Sequence, residues 1–361
     1  MRHRFPVLAV VVGLLVAACG GTGTTPSPSE ATSAAPLASS APSAVESSAP
    51  SGPPAKVTIM VGGLSKQIYL PNKLTEALGF FTEENLDVTL VDEPSGTDTE
   101  TEIVAGHADI GSGSYDHTLD LQAQGKIITA VMNLLQAPGE FVMVSTAKAD
   151  KIKSPKDFKG INIGVTSIGS GTHTLMRAMM VDAGLQVSDA NYVKAGAGDT
   201  FIAAMKQGQI DVGITTQPTV LRLETSGVGK LLVDLSKPDT TQAALGGPYP
   251  FISLWARADW IAANHDTVQH VVNAYVKTLK WIQTHTAADI AAKLPADYSA
   301  ADLPGYIKAL TDSYGMFNPT GQFAPGSIES VLKINRMFKD NLTNIDLTKT
   351  YTSEFVDKAN Q

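Results

Sequence analysis

Cysteine is almost missing from this chain, with one residue, Cys19, in 361. If that thiol serves as an anchor, the body has none left, which excludes a disulfide framework, a zinc–thiolate site and a cysteine nucleophile. Positive charge is also scarce, with 27 Lys and Arg against 35 Asp and Glu and a formal net charge of −8. That balance, and the lack of any basic run, argues against nucleic acid as a partner. Beyond the first eighteen residues no apolar run is long enough for a membrane helix, so any membrane pore would have to come from another protein. There is no Gly-x-Ser-x-Gly elbow, P-loop or His-Glu-x-x-His site, and neither a metal nor a cofactor is expected.

The chain does have an organised start. Arg2, His3 and Arg4 form a basic region, Pro6 to Leu15 an apolar stretch, and Val16-Ala17-Ala18-Cys19 a small-residue cleavage site ending in cysteine. This resembles a bacterial lipobox, so residues 1–18 are read as a signal peptide and Cys19 as the lipidated residue. From Gly20 to Ala55 every residue is Gly, Ala, Ser, Thr or Pro except Glu30, Leu37, Val45 and Glu46. Such a composition buries too little apolar surface to offset the entropy of ordering, so residues 19–55 are expected to be a disordered tether. At about 3.1 Å per residue it would reach on the order of 100 Å. The body is therefore expected on the extracytoplasmic face of the cell membrane, held by lipid.

Within that body one block occurs twice. Ala105-Gly106-His107-Ala108-Asp109-Ile110-Gly111 returns as Gln207-Gly208-Gln209-Ile210-Asp211-Val212-Gly213, each after an amphipathic helical run. Upstream of the first lie a strand at 57–61, a Gly/Ser loop, a helix over 69–81 and a strand at 87–91. Upstream of the second lie a strand at 161–165, the loop Thr166–Gly171, a helix through Ala183 and a strand near 191–194. Alternating strands and helices predict α/β architecture with mainly parallel sheets. Two such sheets enclose a cleft, and ligands of α/β sheets bind beyond the carboxyl ends of the strands. A strand at 127–132 is expected in the first lobe, the run Phe141–Ser145 to cross to the second, and Pro250–Ala256 to return. Lobe I is then 56–145 plus 250–361 and lobe II 146–249. Thr267–Gln283 reads as a core-packing helix.

The order strand, Gly/Ser loop, helix, strand, Gly-x-Ala-Asp-Ile-Gly is followed by Ser154-Pro155-Lys156-Asp157-Phe158-Lys159-Gly160 and Ile163-Gly164-Val165-Thr166-Ser167-Ile168-Gly169-Ser170-Gly171-Thr172. Together these resemble the nitrate/sulfonate/taurine and thiamine-pyrimidine-precursor (NMT1/THI5-like) group of ABC-transporter solute-binding proteins, over nearly all of residues 56–361. The resemblance implies a type II periplasmic-binding-protein fold. It also implies two lobes that close by a hinge on a small solute, and an ABC permease and ATPase as partners of a monomeric receptor.

Candidate ligand-binding residues come from four loops. Ser167, Ser170, Gly171, Thr172 and His173 lie where a strand meets a helix amino terminus, a ready site for an anion or polar group. By the repeat, Ser65, Lys66 and Tyr69 form the matching loop of lobe I, with Ser114 and Tyr115 after its later strand and Thr216 and Gln217 after the equivalent strand of lobe II. Lys66 and Arg177 are the nearest cations. Among the aromatics, Tyr115 is expected to stack on a ligand and Trp255 to pack in the core, while Tyr249 and Phe251 fit either place. Asp109 and Asp211 sit at strand starts, away from the ligand end, and are expected to fix turns rather than form a catalytic pair.

Capture of a small organic solute for an importer is the leading function, with no enzymatic activity. The sequence leaves two ligand classes open: a sulfonate, nitrate or carboxylate anion at the helix terminus, or a heteroaromatic vitamin or precursor such as a pyrimidine or flavin near Tyr69, Tyr115 and Gln217. An enzyme of the pyrimidine-precursor synthase type is the main competitor. Those synthases carry a cysteine-rich iron motif that this chain lacks.

Overall fold

The computed structural model describes residues 52–298 and 302–361; the signal peptide, Cys19 and the tether up to residue 51 lie outside the described residues. β1 (Ala55–Val61), β2 (Leu86–Asp92), β3 (Ile110–Ser114) and β4 (Ile128–Asn133) precede a crossing into a second group of strands. That group holds β5 (Glu140–Ser145), β6 (Asn162–Val165), β7 (Asn191–Lys194), β8 (Val212–Thr216) and β9 (Gly229–Leu235), after which the chain returns through β10 (Ile252–Arg257). The first sheet has the order β2-β1-β3-β10-β4 and the second β7-β6-β8-β5-β9.

Each sheet is mixed in the same way. β1 pairs parallel with β2 and β3, and β10 runs antiparallel between β3 and β4. β6 pairs parallel with β7 and β8, and β5 runs antiparallel between β8 and β9. The strand that arrives from the other lobe is thus the one reversed strand in each sheet. Central strands are apolar and buried on both faces, as a sheet covered by helices requires.

The repeated block has a structural explanation. The Thr58 N–H donates to Asp109 Oδ2 at 2.8 Å while the Asp109 N–H donates to the Thr58 carbonyl at 3.1 Å. The second copy repeats both bonds, Asn162 N–H to Asp211 Oδ2 at 3.0 Å and Asp211 N–H to the Asn162 carbonyl at 2.9 Å. Each aspartate therefore fastens the start of its strand to the neighbouring strand, at the middle of β1 in the first copy and at the first residue of β6 in the second. The glycine two residues later makes room for a ring: a Cβ at Gly111 would enter Trp255, and one at Gly213 would enter Phe201.

The crossing differs from the sequence expectation. Phe141–Ser145, read as the end of lobe I, pairs with β8 and β9 and belongs wholly to the second sheet, so the chain crosses at residues 134–139. The long helix His265–Thr284 buries Val268, Val271, Val272, Tyr275, Val276, Leu279 and Ile282 against the first lobe's core, which accounts for its helical spacing. The expected helix over 69–81 is two pieces, Leu70–Ala77 and Phe80–Glu83, because Gly79 adopts φ 79° between them. No helix among the described residues is long and apolar enough to cross a membrane.

Candidate functional site

The parallel strands of both sheets end on one small cavity of about 20 Å³ between the lobes. Gly62 follows β1, Ser114 ends β3 and Thr166 follows β6, and all three line it. The lobes touch around it. The Ser167 hydroxyl of the second lobe donates to Ser95 Oγ at 3.1 Å and lies 3.2 Å from Thr97 Oγ1, and the Gln67 N–H donates to the Gln217 carbonyl at 3.0 Å.

The Gly/Ser loop is braced from within. Ser170 is the N-cap of the helix Gly171–Asp182; its hydroxyl donates to the Ser167 carbonyl at 2.7 Å and accepts from the Ser167 N–H at 3.3 Å. Thr172 Oγ1 accepts from the Thr166 N–H at 3.0 Å. The loop thereby holds a helix amino terminus, with its positive dipole end, against the cavity. Gly171 is required by proximity rather than by backbone angle. A Cβ there would lie 2.8 Å from both Phe251 Cζ and Ser114 Oγ.

Charged groups also line the cavity. Glu140 is 3% exposed, and its Oε2 is buried without a hydrogen-bond partner. Burial pushes its carboxyl up to about 8 against the opposing charge of Lys66. Lys66 Nζ donates to the Gly62 carbonyl at 2.6 Å and to that of Pro94 at 3.3 Å. Burial lowers its pKa, with Glu140, Asp92 and Asp98 opposing. Tyr69 Oη rests on Gly62, and burial together with the nearby Glu140 raises its pKa.

His117 is a further lining residue. Its Nδ1 lies 2.8 Å from Glu100 Oε2, and its Nε2 has no partner and faces Gly96. Burial alone would lower its pKa, but the Glu100 hydrogen bond and charge, with Asp116 and Asp120, push it up to about 9. The Ser114 hydroxyl donates to Asp116 Oδ1. Burial would raise Asp116, yet the charges of Lys339 and His117 hold its carboxyl below the usual range.

Of the residues expected from sequence, the cavity brings together Lys66, Tyr69, Ser114, Ser170, Gly171 and Thr172, and Phe251 joins them. Others lie elsewhere. Tyr115, expected to stack on a ligand, is fully buried, with its hydroxyl 2.6 Å from Thr350 Oγ1 and its ring 5.3 Å from that of Phe323. β3 ends at Ser114, and the backbone turn into the helix Asp116–Ala123 takes the next side chain into the core. Ser65 is exposed on the outer side of its loop. His173 faces a separate open groove of about 580 Å³, together with Arg177. Its Nδ1 accepts from the Gly169 N–H at 3.1 Å, and burial beside Arg177 and Lys339 lowers its pKa to about 4, so the ring is a neutral brace of the loop. Arg177 donates to the Phe338 carbonyl at 2.9 Å.

Thr216 and Gln217 are near the lobe boundary but internally bonded. The Thr216 hydroxyl donates to the Gly139 carbonyl at 2.8 Å and Gln217 Oε1 accepts from the Leu221 N–H at 3.1 Å. Tyr249 is buried, its hydroxyl accepting from Asn335 Nδ2 at 2.9 Å, and Trp255 lies in the core over Gly111 and Gly113. Sequence reasoning missed Glu140 and His117. The available signal for Glu140 was a lone acid directly before the apolar run Phe141–Val144.

Comparison with known proteins adds an independent line. The chain is 36% identical to a protein of Bordetella bronchiseptica RB50 whose solved structure it matches with a TM-score of 0.80, over 85% of this chain and 97% of that one. The alkanesulfonate-binding protein SsuA of Xanthomonas axonopodis pv. citri shares the fold, with a TM-score of 0.65 at 18% identity over 84% of this chain and 99% of SsuA. Among sequence relatives, YtlA of Bacillus subtilis, named as a candidate binding protein, is 23% identical over 68% of this chain and 72% of its own. The 4-amino-5-hydroxymethyl-2-methylpyrimidine phosphate synthase of Schizosaccharomyces pombe is 28% identical over 159 residues, 44% of each chain, so the match spans less than half of that enzyme. The type II periplasmic-binding-protein fold is thus shared with binding proteins, while sequence relatives include both binding proteins and synthases. A family model described as NMT1/THI5 like matches residues 71–288, and the chain belongs to that family.

Proposed function

We propose that this protein captures a small organic solute between its two lobes by hinge closure and delivers it to an ABC permease and its ATPase. In this reading it is monomeric and held to the extracytoplasmic face of the cell membrane through lipidated Cys19. The observation that carries the reading is the convergence of β1, β3 and β6 on one cavity that also receives a helix amino terminus. Its contents are binding groups: one carboxyl with an unpartnered oxygen, one amine, hydroxyls and an unpartnered imidazole nitrogen. A sulfonate, nitrate or carboxylate would use Lys66 and the Gly171 helix terminus, and a heteroaromatic vitamin precursor would use Tyr69 and Phe251.

The synthase relatives favour a second reading, in which the same cleft works on a pyrimidine precursor. Against it stands the cysteine content: Cys19 is the sole cysteine, whereas the resemblance implies a cysteine-rich motif for a synthase of that type. The test is calorimetry of the full chain against sulfonates, carboxylates and aminopyrimidines, with small-angle scattering on each pair that binds. Saturable binding with a more compact particle and unchanged solute supports the receptor. Turnover of the solute supports the synthase. For the anchor, Cys19→Ala should move the protein from the membrane fraction to the medium or leave it unprocessed; unchanged mass and membrane retention would count against it.

A further inference from the structure

Glu140 stands apart from the other buried acids. β5 runs antiparallel to β8, so its first residue lies at the carboxyl end of β8, on the side where the parallel strands deliver their loops. The Glu140 backbone is paired with Thr216 on one side and Leu235 on the other, which fixes its place inside the second sheet. Its side chain lines the cavity. The carboxylate makes no hydrogen bond and no ion pair among the described residues, and Oε2 is sealed from solvent. Lys66, whose charge acts on Glu140, donates its ammonium to the Gly62 and Pro94 carbonyls of its own lobe.

A buried carboxylate without donors is costly, and natural interiors rarely leave one unless something else completes it. Here the residue with the unpartnered oxygen lines the cavity between the lobes. Burial keeps a proton on that carboxyl; a nitrogen bearing hydrogen and positive charge would draw it into the ionised form and supply the missing donor, whereas an oxyanion would oppose that ionisation. We propose that Glu140 reads a nitrogen-borne hydrogen-bond donor on the solute, such as an amino group, an amidine or a protonated ring nitrogen. The cleft therefore takes amino-bearing solutes and rejects counterparts lacking that donor. The inference rests on the reading of this cleft as the solute site, and it narrows the two ligand classes to nitrogenous ones. Any anionic portion of the solute lies toward the Gly171 helix terminus and Lys66 rather than toward Glu140.

The experiment uses matched probes on the full chain at pH 7: 4-aminopyrimidine against pyrimidine, and taurine against ethanesulfonate, each by calorimetry with wild type and Glu140→Gln. The amino member of at least one pair should bind at least tenfold more tightly than its partner, since a hydrogen bond to a charged group supports about a tenfold gap or more. Glu140→Gln should shrink that gap below about threefold. Thermal melts check folding, and if the glutamine variant does not fold, Glu140→Asp, which withdraws the carboxylate, serves for the same gap. Binding without an amino preference, or a preference that survives the substitution, overturns the inference and leaves the receptor reading standing. If none of the four probes nor any anion of the wider panel binds, both the receptor reading and this inference fall.

Discussion

Gly171→Val is the substitution that bears most directly on lobe closure. The glycine sits at the first position of a second-lobe helix, while Ser114 belongs to the first lobe and Phe251 to the segment returning to it. An added Cβ would lie 2.8 Å from both Phe251 Cζ and Ser114 Oγ, well inside ordinary van der Waals contact. Valine adds two further methyl groups in the same space. Overpacking of this kind costs about 1 to 3 kcal/mol. Because the clash exists only while the lobes meet, the cost falls on the closed form and leaves each lobe's own packing alone. At about 1.4 kcal/mol per tenfold, solute affinity should fall roughly 5- to 150-fold. Gly171→Ala should lie between the wild type and valine. Calorimetry with a bound solute gives the affinity, and small-angle scattering shows whether saturating solute still compacts the particle. Full-strength binding by the valine variant, or a large loss of melting temperature with affinity intact, would refute the reasoning.

Three other expectations follow from the same geometry. Tyr115→Phe removes a buried hydroxyl paired with Thr350 and should lower stability by about 1 kcal/mol without changing solute affinity; a tenfold loss of affinity would return Tyr115 to the site. Asp211→Ala leaves the Asn162 N–H without its carboxylate and should destabilise by roughly 1.5 to 3 kcal/mol, with Asp109→Ala doing the same through Thr58, both read by denaturant melts. For pH, the Glu140 carboxyl is raised from 4.5 to about 8, facing Lys66 and Tyr69, so the folded chain keeps a proton that the unfolded chain releases. Its contribution is full below about 4.5 and is lost as pH rises through about 8, and His117, raised from 6.5 to about 9, adds a loss of the same sign. Melting temperature should therefore decline across pH 6 to 9, and Glu140→Gln should flatten part of that decline; a profile unchanged in the variant would contradict the assignment.

The α/β alternation was legible because both lobes spell it with the same punctuation. The Gly-x-x-Asp-x-Gly block marks each later strand start, and the structure shows why both aspartate and glycine recur there. The Gly/Ser loop was legible as well, since Ser170 is a cap whose role is local in sequence. The rest depended on which way a side chain turns and on long-range pairing. Ser114 and Tyr115 are neighbours, yet one lines the cavity and the other enters the core, a distinction that no pattern of residue types carries. Glu140 lies 74 residues from Lys66 in sequence, and only the insertion of β5 beside β8 brings their loops to one cavity. The crossing at 134–139 was misplaced for a related reason. The apolar run Phe141–Val144 reads equally well as a connector or as a central strand.

The two crossings between lobes are bound to each other. The Leu134 N–H donates to the Ile252 carbonyl at 2.7 Å, that of Leu135 to the same carbonyl at 3.1 Å, and that of Phe251 to the Leu135 carbonyl at 3.0 Å. A door hung on a single pin can swing and also twist; one hung on two linked pins can only swing. In the hinge-closure reading proposed above, that linkage would leave the lobes one easy coordinate of relative motion, on which the groups of the cavity wall act. A molecule that grips only one wall gains affinity without moving the other. In that reading a molecule that reaches both the helix terminus at Gly171 and the wall at Lys66 and Tyr69 would draw them together, and the angle between the lobes would become a signal, visible from outside, of what the cavity holds.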